Sequence, residues 1–137
     1  MNRADLDALA RRWMTFWQGA DLTDFIAVHA PDFIDHASAG RARTREAFRD
    51  SVADLYTAFP DFDARIEDLV VDETSARVVV RWSAEATHAN AFMGFPATRR
   101  PIRFQGIELL HCRDGLIVAR WGEWDSESLI AQLSNGA

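Results

Sequence analysis

The chain has 137 residues, of which 48% are hydrophobic, so we expect one domain over residues 1–137 with one packed core and exclude a disordered protein. Its formal net charge of −6 disfavours nucleic acid and anionic membrane as partners, because both are bound by basic surfaces. No apolar run approaches the roughly 20 residues that span a bilayer, and the N-terminus lacks an apolar signal core, so we expect a cytoplasmic protein.

Helical periodicity dominates the first half of the chain. Apolar residues between Leu6 and Trp17 recur at helical spacing, Asp21 suits a helix N-cap, and Pro31 and Pro60 are expected to end the second and third helices. A short extended piece, "DFIDHA", follows the second helix. The predicted helices cover residues 3–19, 21–29 and 44–58, and a short closing helix covers 127–133.

From Phe62 the period changes to two, which is typical of strands. In "RDGL", Asp114 and Gly115 predict a tight hairpin turn. Because helices come first and a mostly antiparallel sheet follows, the predicted fold class is α+β. The predicted strands cover residues 63–72, 76–89, 102–113 and 116–125.

The hairpin turn sets an expected pairing of its two strands. If Arg113 faces Leu116 across a two-residue turn, Glu108 lies opposite Trp121 and Phe104 opposite Asp125. The more apolar face, which should be the inner one, would then carry three acids and be joined by a histidine of the preceding strand: Glu108, Glu123, Asp125 and His88. A β-bulge in either strand would change this pairing.

Buried charges are costly unless they are paired or used, so these acids need an explanation. Three alternatives to catalysis stay open: the strand ends splay into solvent, Glu123 pairs with an arginine or His88, or Asp125 caps the final helix. The four histidines and the single cysteine show no spacing typical of a metal site, and no disulfide within the chain is possible. No metal is expected.

Five segments of the chain resemble the SnoaL-like polyketide cyclase family of the nuclear transport factor 2-like superfamily. The resemblance runs from about residue 13 to residue 133, and its segments are "TAFPDFDARIEDLV", "VVVRWSAEATHANAFMGFPATRRPIRFQGIELL", "RDGLIVARWGEWD" and "SLIAQL", with "DH" after the second helix. It implies a cone-shaped, curved antiparallel sheet with helices closing one side over a cavity. The family's catalytic aspartate of the last strand matches Asp125, and its Thr-His and Asp-His pairs match Thr87–His88 and Asp35–His36.

The resemblance implies intramolecular aldol ring closure on a small, apolar, polyketide-like substrate, with no cofactor. Asp125 would be the acid/base, with its pKa raised by aromatic neighbours, and His88 would donate to the enolate oxygen. The loop "FMGFP" is expected to cover the cavity. The predicted substrate-binding residues are His36, Trp82, Phe92, Met93, Phe95, Phe104, Glu108, Trp121 and Glu123.

Three other functions remain open on the same fold: a non-catalytic binder of a small apolar molecule, a ketosteroid isomerase-type enzyme and an epoxide hydrolase. The isomerase is poorly matched, because the only tyrosine, Tyr56, lies on a predicted helix. Epoxide hydrolysis needs an Asp-Arg-Asp grouping, whereas Arg103 and Arg120 are predicted on the outer face. The outer face also carries Ile107, Leu109 and Val118, which predict a homodimer.

Overall fold

A curved, unclosed five-stranded sheet, with four helices, forms the framework of the computed structural model, which describes residues 1–134. The helices are α1 (Arg3–Met14), α2 (Phe25–Val28), α3 (Arg45–Ala58) and α4 (Ser126–Ser134), with a 3₁₀ turn at Thr15–Trp17. The strands are β1 (His29–Asp35), β2 (Ala64–Asp72), β3 (Arg77–Thr87), β4 (Pro101–Arg113) and β5 (Leu116–Trp124). They are arranged β1-β5-β4-β3-β2, with β1 parallel to β5 and the other pairs antiparallel. The predicted α+β class is confirmed.

Local side-chain hydrogen bonds fix the starts of the long helices. Asn2 and Asp5 form a reciprocal capping box at α1, and the Thr44 hydroxyl accepts the Ala47 N–H at α3. The first helix ends five residues earlier than predicted, because the chain tightens into the 3₁₀ turn that buries Phe16 and Trp17. No α-helix of residues 1–134 has both the length and the apolar character needed to cross a bilayer.

One register irregularity determines which residues of β5 face inward. Cys112 pairs with Ile117 but His111 pairs with Ala119, so Val118 is an extra residue, a β-bulge. Beyond the bulge Glu108 pairs with Gly122 rather than with Trp121. The predicted pairing was therefore wrong by one residue, and the faces of β5 exchange: those that turn inward are Arg120, Gly122 and Trp124, and those that turn outward are Trp121 and Glu123.

His29 is a neutral histidine inside the aromatic core, only 1% exposed. Its Nε2 accepts the indole N–H of Trp13 at 3.1 Å, so its Nδ1–H donates to the Phe25 carbonyl at 2.6 Å. Burial, opposed only in part by that carbonyl, lowers the pKa of His29 to about 4. A proton on Nε2 would break the hydrogen bond from Trp13, so the native state needs this ring uncharged.

Stability is expected to fall as the pH drops from about 6.5 to about 4. In this range the unfolded chain protonates His29 and the native state does not, so the unfolded state is favoured, by up to about 3 kcal/mol. Urea unfolding at several pH values measures the loss. In a His29→Gln variant, which has no titrating ring, the slope over this range should be smaller. An equal slope in both proteins would contradict the assignment.

Candidate active site

A cavity of about 600 Å³ lies between the inner face of the sheet, α3, the loop after β1 and the hairpin around Met93. This volume suits a small organic ligand. Most of the wall is apolar or aromatic: Trp17, Phe48, Val52, Leu55, Trp82, Phe92, Met93 and Trp124. The polar lining residues are His36, Arg41, Ser51, Asp54, Glu108, Arg120 and Glu123.

The guanidinium of Arg120 lies between two buried carboxylates at the polar end of this cavity. Its Nε and Nη2 donate to the two oxygens of Glu108 at 3.1 and 3.2 Å, and its Nη1 donates to Asp35 Oδ1 at 3.2 Å. The ring of Phe48 lies 4.4 Å from the guanidinium carbon, within the range of a cation–π interaction. Asp35 is fully buried, whereas Glu108 and Arg120 line the cavity.

Burial and pairing act in opposite directions on the carboxyl group of Glu108. Desolvation raises its pKa, and the positive charge of Arg120 opposes that effect without cancelling it. For Arg120, burial lowers the pKa, but Glu108 and Asp35 outweigh burial and the pKa is raised. The charge of the Glu108 carboxylate is therefore costly to bury but compensated by Arg120.

Gly122 makes room for this ion pair. A Cβ at position 122 would overlap Glu108 Oε2 and would come within 2.7 Å of Arg120 Nη2. Gly106 makes room for Trp82 in the same way, since a Cβ at position 106 would lie 2.6 Å from the indole ring. The glycine of "RWGEWD" thus allows the arginine two residues before it to pair with the glutamate across the hairpin.

Some of the residues predicted to bind substrate line the cavity and others do not. Those that line it are His36, Trp82, Phe92, Met93, Glu108 and Glu123. Phe104 lies in the aromatic core against Phe59 and Phe62, and Phe95 pairs with Phe92 across a two-residue turn. The expected inward position of Trp121 was wrong, because the bulge turns it to the outer face, where it stacks on His36 at 4.1 Å.

The expected meeting of Asp125 and His88 inside the cavity was also wrong. Asp125 is exposed and caps α4: its Oδ1 accepts the Ser128 N–H at 3.0 Å. His88 is fully buried against Phe59, and its Nδ1 accepts the Thr98 N–H at 3.1 Å. The cavity lining includes neither residue. The bulge and the strand end at Trp124 together put Asp125 outside.

Glu123 likewise turns outward and is exposed, so it contributes to the cavity rim rather than to a buried wall.

Three polar residues of the cavity end were not predicted as site residues: Asp35, Arg41 and Arg120. Asp35 was visible as the first residue of the "DH" pair that carried part of the family resemblance. Arg120 was assigned to the outer face because the bulge has no local signal in the sequence. Among residues 1–134, no three His, Cys, Asp or Glu side chains come together as a metal site would require.

Comparisons with known proteins agree with the fold. The model of the SnoaL-like polyketide cyclase family matches residues 7–133. The comparison with curated proteins found no match. The wild-type IdmH structure, a candidate polyketide cyclase from Streptomyces antibioticus, is 29% identical with a TM-score of 0.81, covering 94% of this chain and 98% of that one.

Two further solved structures are similar over nearly the whole chain. A candidate polyketide cyclase from Bacillus cereus is 26% identical with a TM-score of 0.80, covering 95% of this chain and 80% of that one. AclR, a candidate hydroxylase from Streptomyces galilaeus, is 24% identical with a TM-score of 0.85, covering 96% and 97%. At that identity the AclR likeness shows the fold alone. The resemblance predicted from the sequence is confirmed.

Proposed function

Because the chain belongs to the SnoaL-like polyketide cyclase family, we propose that it closes a ring in a small, polyketide-like substrate by acid/base chemistry that needs no cofactor. We assign the acid/base role to Glu108 rather than to Asp125. The observation that supports this choice is the position of Glu108: it lines an aromatic cavity, and its carboxylate is held by Arg120. The catalytic roles of Asp125 and His88 stay predictions without a supporting contact.

The proposed reaction begins at a methylene between two carbonyl groups, which is already acidic. The Glu108 carboxylate takes one of its protons, and the electron pair moves onto the neighbouring carbonyl oxygen as an enolate. The enolate carbon then attacks a second carbonyl of the same chain. The new alkoxide takes the proton back from Glu108, so the ring closes with no atom gained or lost.

Arg120 is suited to stabilise the enolate oxygen. Three of its five N–H groups bind Glu108 and Asp35, which leaves one N–H on each terminal nitrogen. The aromatic walls, including Trp82 and Trp124, would hold the chain folded so that the reacting carbons lie close together. Apolar surroundings also strengthen the interaction between the guanidinium and a developing negative charge.

The test is a cyclisation assay with linear poly-β-ketones of several chain lengths, each offered as the free acid and as the methyl ester. We expect the purified protein to accelerate formation of a cyclised product of unchanged mass, or of that mass less one water, over the rate in buffer. Mass spectrometry detects the product and NMR identifies the ring. If no chain length cyclises faster but ligands still quench the tryptophans of the cavity, the non-catalytic binder replaces the proposal.

Epoxide hydrolysis is the second candidate, because the order Asp35–Arg120–Glu108 places an arginine between two acids. The sequence-based objection, that Arg120 lies outside, no longer applies. In this reaction water adds across the epoxide ring. Of the two acids, Glu108 lines the cavity and Asp35 does not, so Glu108 would be the one that activates the water. Apolar epoxides incubated with the protein in labelled water test this candidate. A labelled diol, with no cyclised product from the polyketides, would favour it.

The isomerase-type enzyme gains no support from the structure. The hydroxyl of Tyr56 donates to the Phe16 carbonyl at 2.8 Å, so this tyrosine is bound within the core.

The homodimer also stays a proposal, and the outer sheet face supports it. Ile107 is 51% exposed there, Leu109 and Val118 are half-buried, and the bulge adds Trp121 at 39%. A face of this kind on a sheet is typical of an interface between copies.

Light scattering at micromolar concentration should give about twice the chain mass of 15.5 kDa. Ile107→Glu places a charge at the centre of the proposed interface, and we expect it to return the mass of one chain. Ile130→Glu, on an exposed apolar position of α4, is the matched control and should leave the dimer intact. A wild-type protein with the mass of one chain would contradict the proposal.

A further inference from the structure

The loop between β1 and α3 places a second guanidinium, that of Arg41, at the polar end of the cavity. Backbone hydrogen bonds shape the loop: the Asp35 N–H donates to the Arg43 carbonyl and the Arg41 N–H donates to the Ser38 carbonyl, both at 3.0 Å. Ala39 and Gly40 have φ values of +51° and +88°, so the chain turns back just before Arg41. Arg41 lines the cavity, and its side chain is 35% exposed.

Arg41 is only weakly held by the protein. Its ion-pair contact is a long one, from Nη2 to Asp35 Oδ2 at 3.4 Å. Asp35 is held more firmly through its other oxygen, because Oδ1 accepts from Arg120 at 3.2 Å and from the Ala37 N–H at 2.9 Å, whereas Oδ2 has the long contact with Arg41. Arg120, in contrast, is bound on three of its N–H groups. Arg41 therefore keeps a planar pair of N–H donors for a ligand, and a guanidinium that turns toward one gives up the long contact with Asp35 Oδ2.

We infer that the ligand of this cavity carries a free carboxylate, that Arg41 binds it, and that the rest of the ligand is an apolar or aromatic body. A guanidinium fork matches the two oxygens of a carboxylate, and such a pair is stronger than a hydrogen bond to a neutral ester. The cavity beyond it, with Trp82, Trp124 and Phe92, suits the apolar body. The inference rests on the cavity of the proposed function and names the substrate class as an acid.

The position of Arg41 also relates the carboxylate to the reacting carbon. Arg41 contacts Asp35, Asp35 contacts Arg120, and Arg120 contacts Glu108, so the two arginines share one neighbour. The carboxylate of the substrate should lie near the methylene that Glu108 deprotonates. Two acids of the cavity lining, Asp54 and Glu123, are exposed, so water and salt screen their repulsion of an anionic ligand.

Binding without turnover tests the inference. The probes are 1-naphthoic acid, its methyl ester and 1-naphthylmethylamine, which share the ring system and differ in charge. Tryptophans in the cavity wall report binding by fluorescence, and calorimetry gives the dissociation constants. We expect the wild-type protein to bind the acid about tenfold or more tighter than the ester. Arg41→Gln should bring the acid to the level of the ester and leave the ester unchanged, and Arg41→Lys should recover part of the preference.

Arg49→Gln is the matched control, because Arg49 lies on α3 and pairs with Asp50 at the surface. It should keep the preference for the acid. Equal binding of acid and ester by the wild type, a preference for the amine, no measurable binding of the acid, or an unchanged preference in Arg41→Gln would each overturn the inference. If the preference depends on Arg41 while no polyketide cyclises, the inference stands and the cyclase proposal fails.

Discussion

Replacing Arg120 with methionine is expected to reduce the free energy of unfolding by about 3–5 kcal/mol at neutral pH. Methionine fills much of the same volume but leaves Glu108 buried without its cation and Asp35 with the long contact to Arg41 alone. Breaking a buried ion pair from one side is far more costly than removing an exposed one, because the remaining charges have lost water and gained nothing. The loss should be smaller at acidic pH, where the carboxyl group of Glu108, whose pKa burial raises, is protonated.

Urea unfolding measures this loss, and two further variants show its cause. Arg103→Met removes an arginine of the same hairpin whose side chain is 84% exposed and pairs with Glu85, so it should change stability little. Asp35→Asn and Glu108→Gln, added to Arg120→Met, remove the uncompensated charges and should restore part of the stability. If Arg120→Met lost as little stability as Arg103→Met, the claim that Arg120 compensates the buried carboxylates would be contradicted.

The class of fold was predictable because its signals are local. Helical spacing in α1 and α3, alternation from Phe62 onward and the Asp114–Gly115 turn each depend on a few neighbouring residues. The inward face of β5 was not predictable in the same way. In "LIVA" every residue is apolar, so either phase of the strand buries apolar side chains and the pattern cannot reveal the extra residue at Val118.

The site was harder to predict than the fold because its pairing is distant in sequence. Arg120 is acceptable on the inner face only because Asp35, 85 positions away in the chain, and Glu108, across the hairpin, are there to bind it. Sequence spacing shows neither contact. For Asp125 the sequence allowed two positions, a helix cap and an acid inside the cavity, because the residue directly precedes a helix. In the structure Asp125 caps the helix.

Glu108→Gln is expected to slow cyclisation by about two or more orders of magnitude while binding survives. Glutamine keeps the shape of the side chain and an oxygen that accepts from Arg120, but it cannot take a proton from the substrate.

Asp125→Asn separates the two candidate acids. It keeps much of the capping ability, should lose roughly 1 kcal/mol of stability or less, and should leave turnover intact.

The pH dependence of the rate gives a second, independent measure of the same group. As a base Glu108 must be ionised, and burial raises its pKa, so kcat/KM should fall with decreasing pH at a higher pH than for an ordinary glutamate. The Arg41→Gln variant should keep this acid limb, whereas Glu108→Gln should remove it. If Asp125→Asn lost the activity and Glu108→Gln kept it, the acid/base role would return to Asp125, and an exposed carboxylate at the end of β5 would have to reach the substrate.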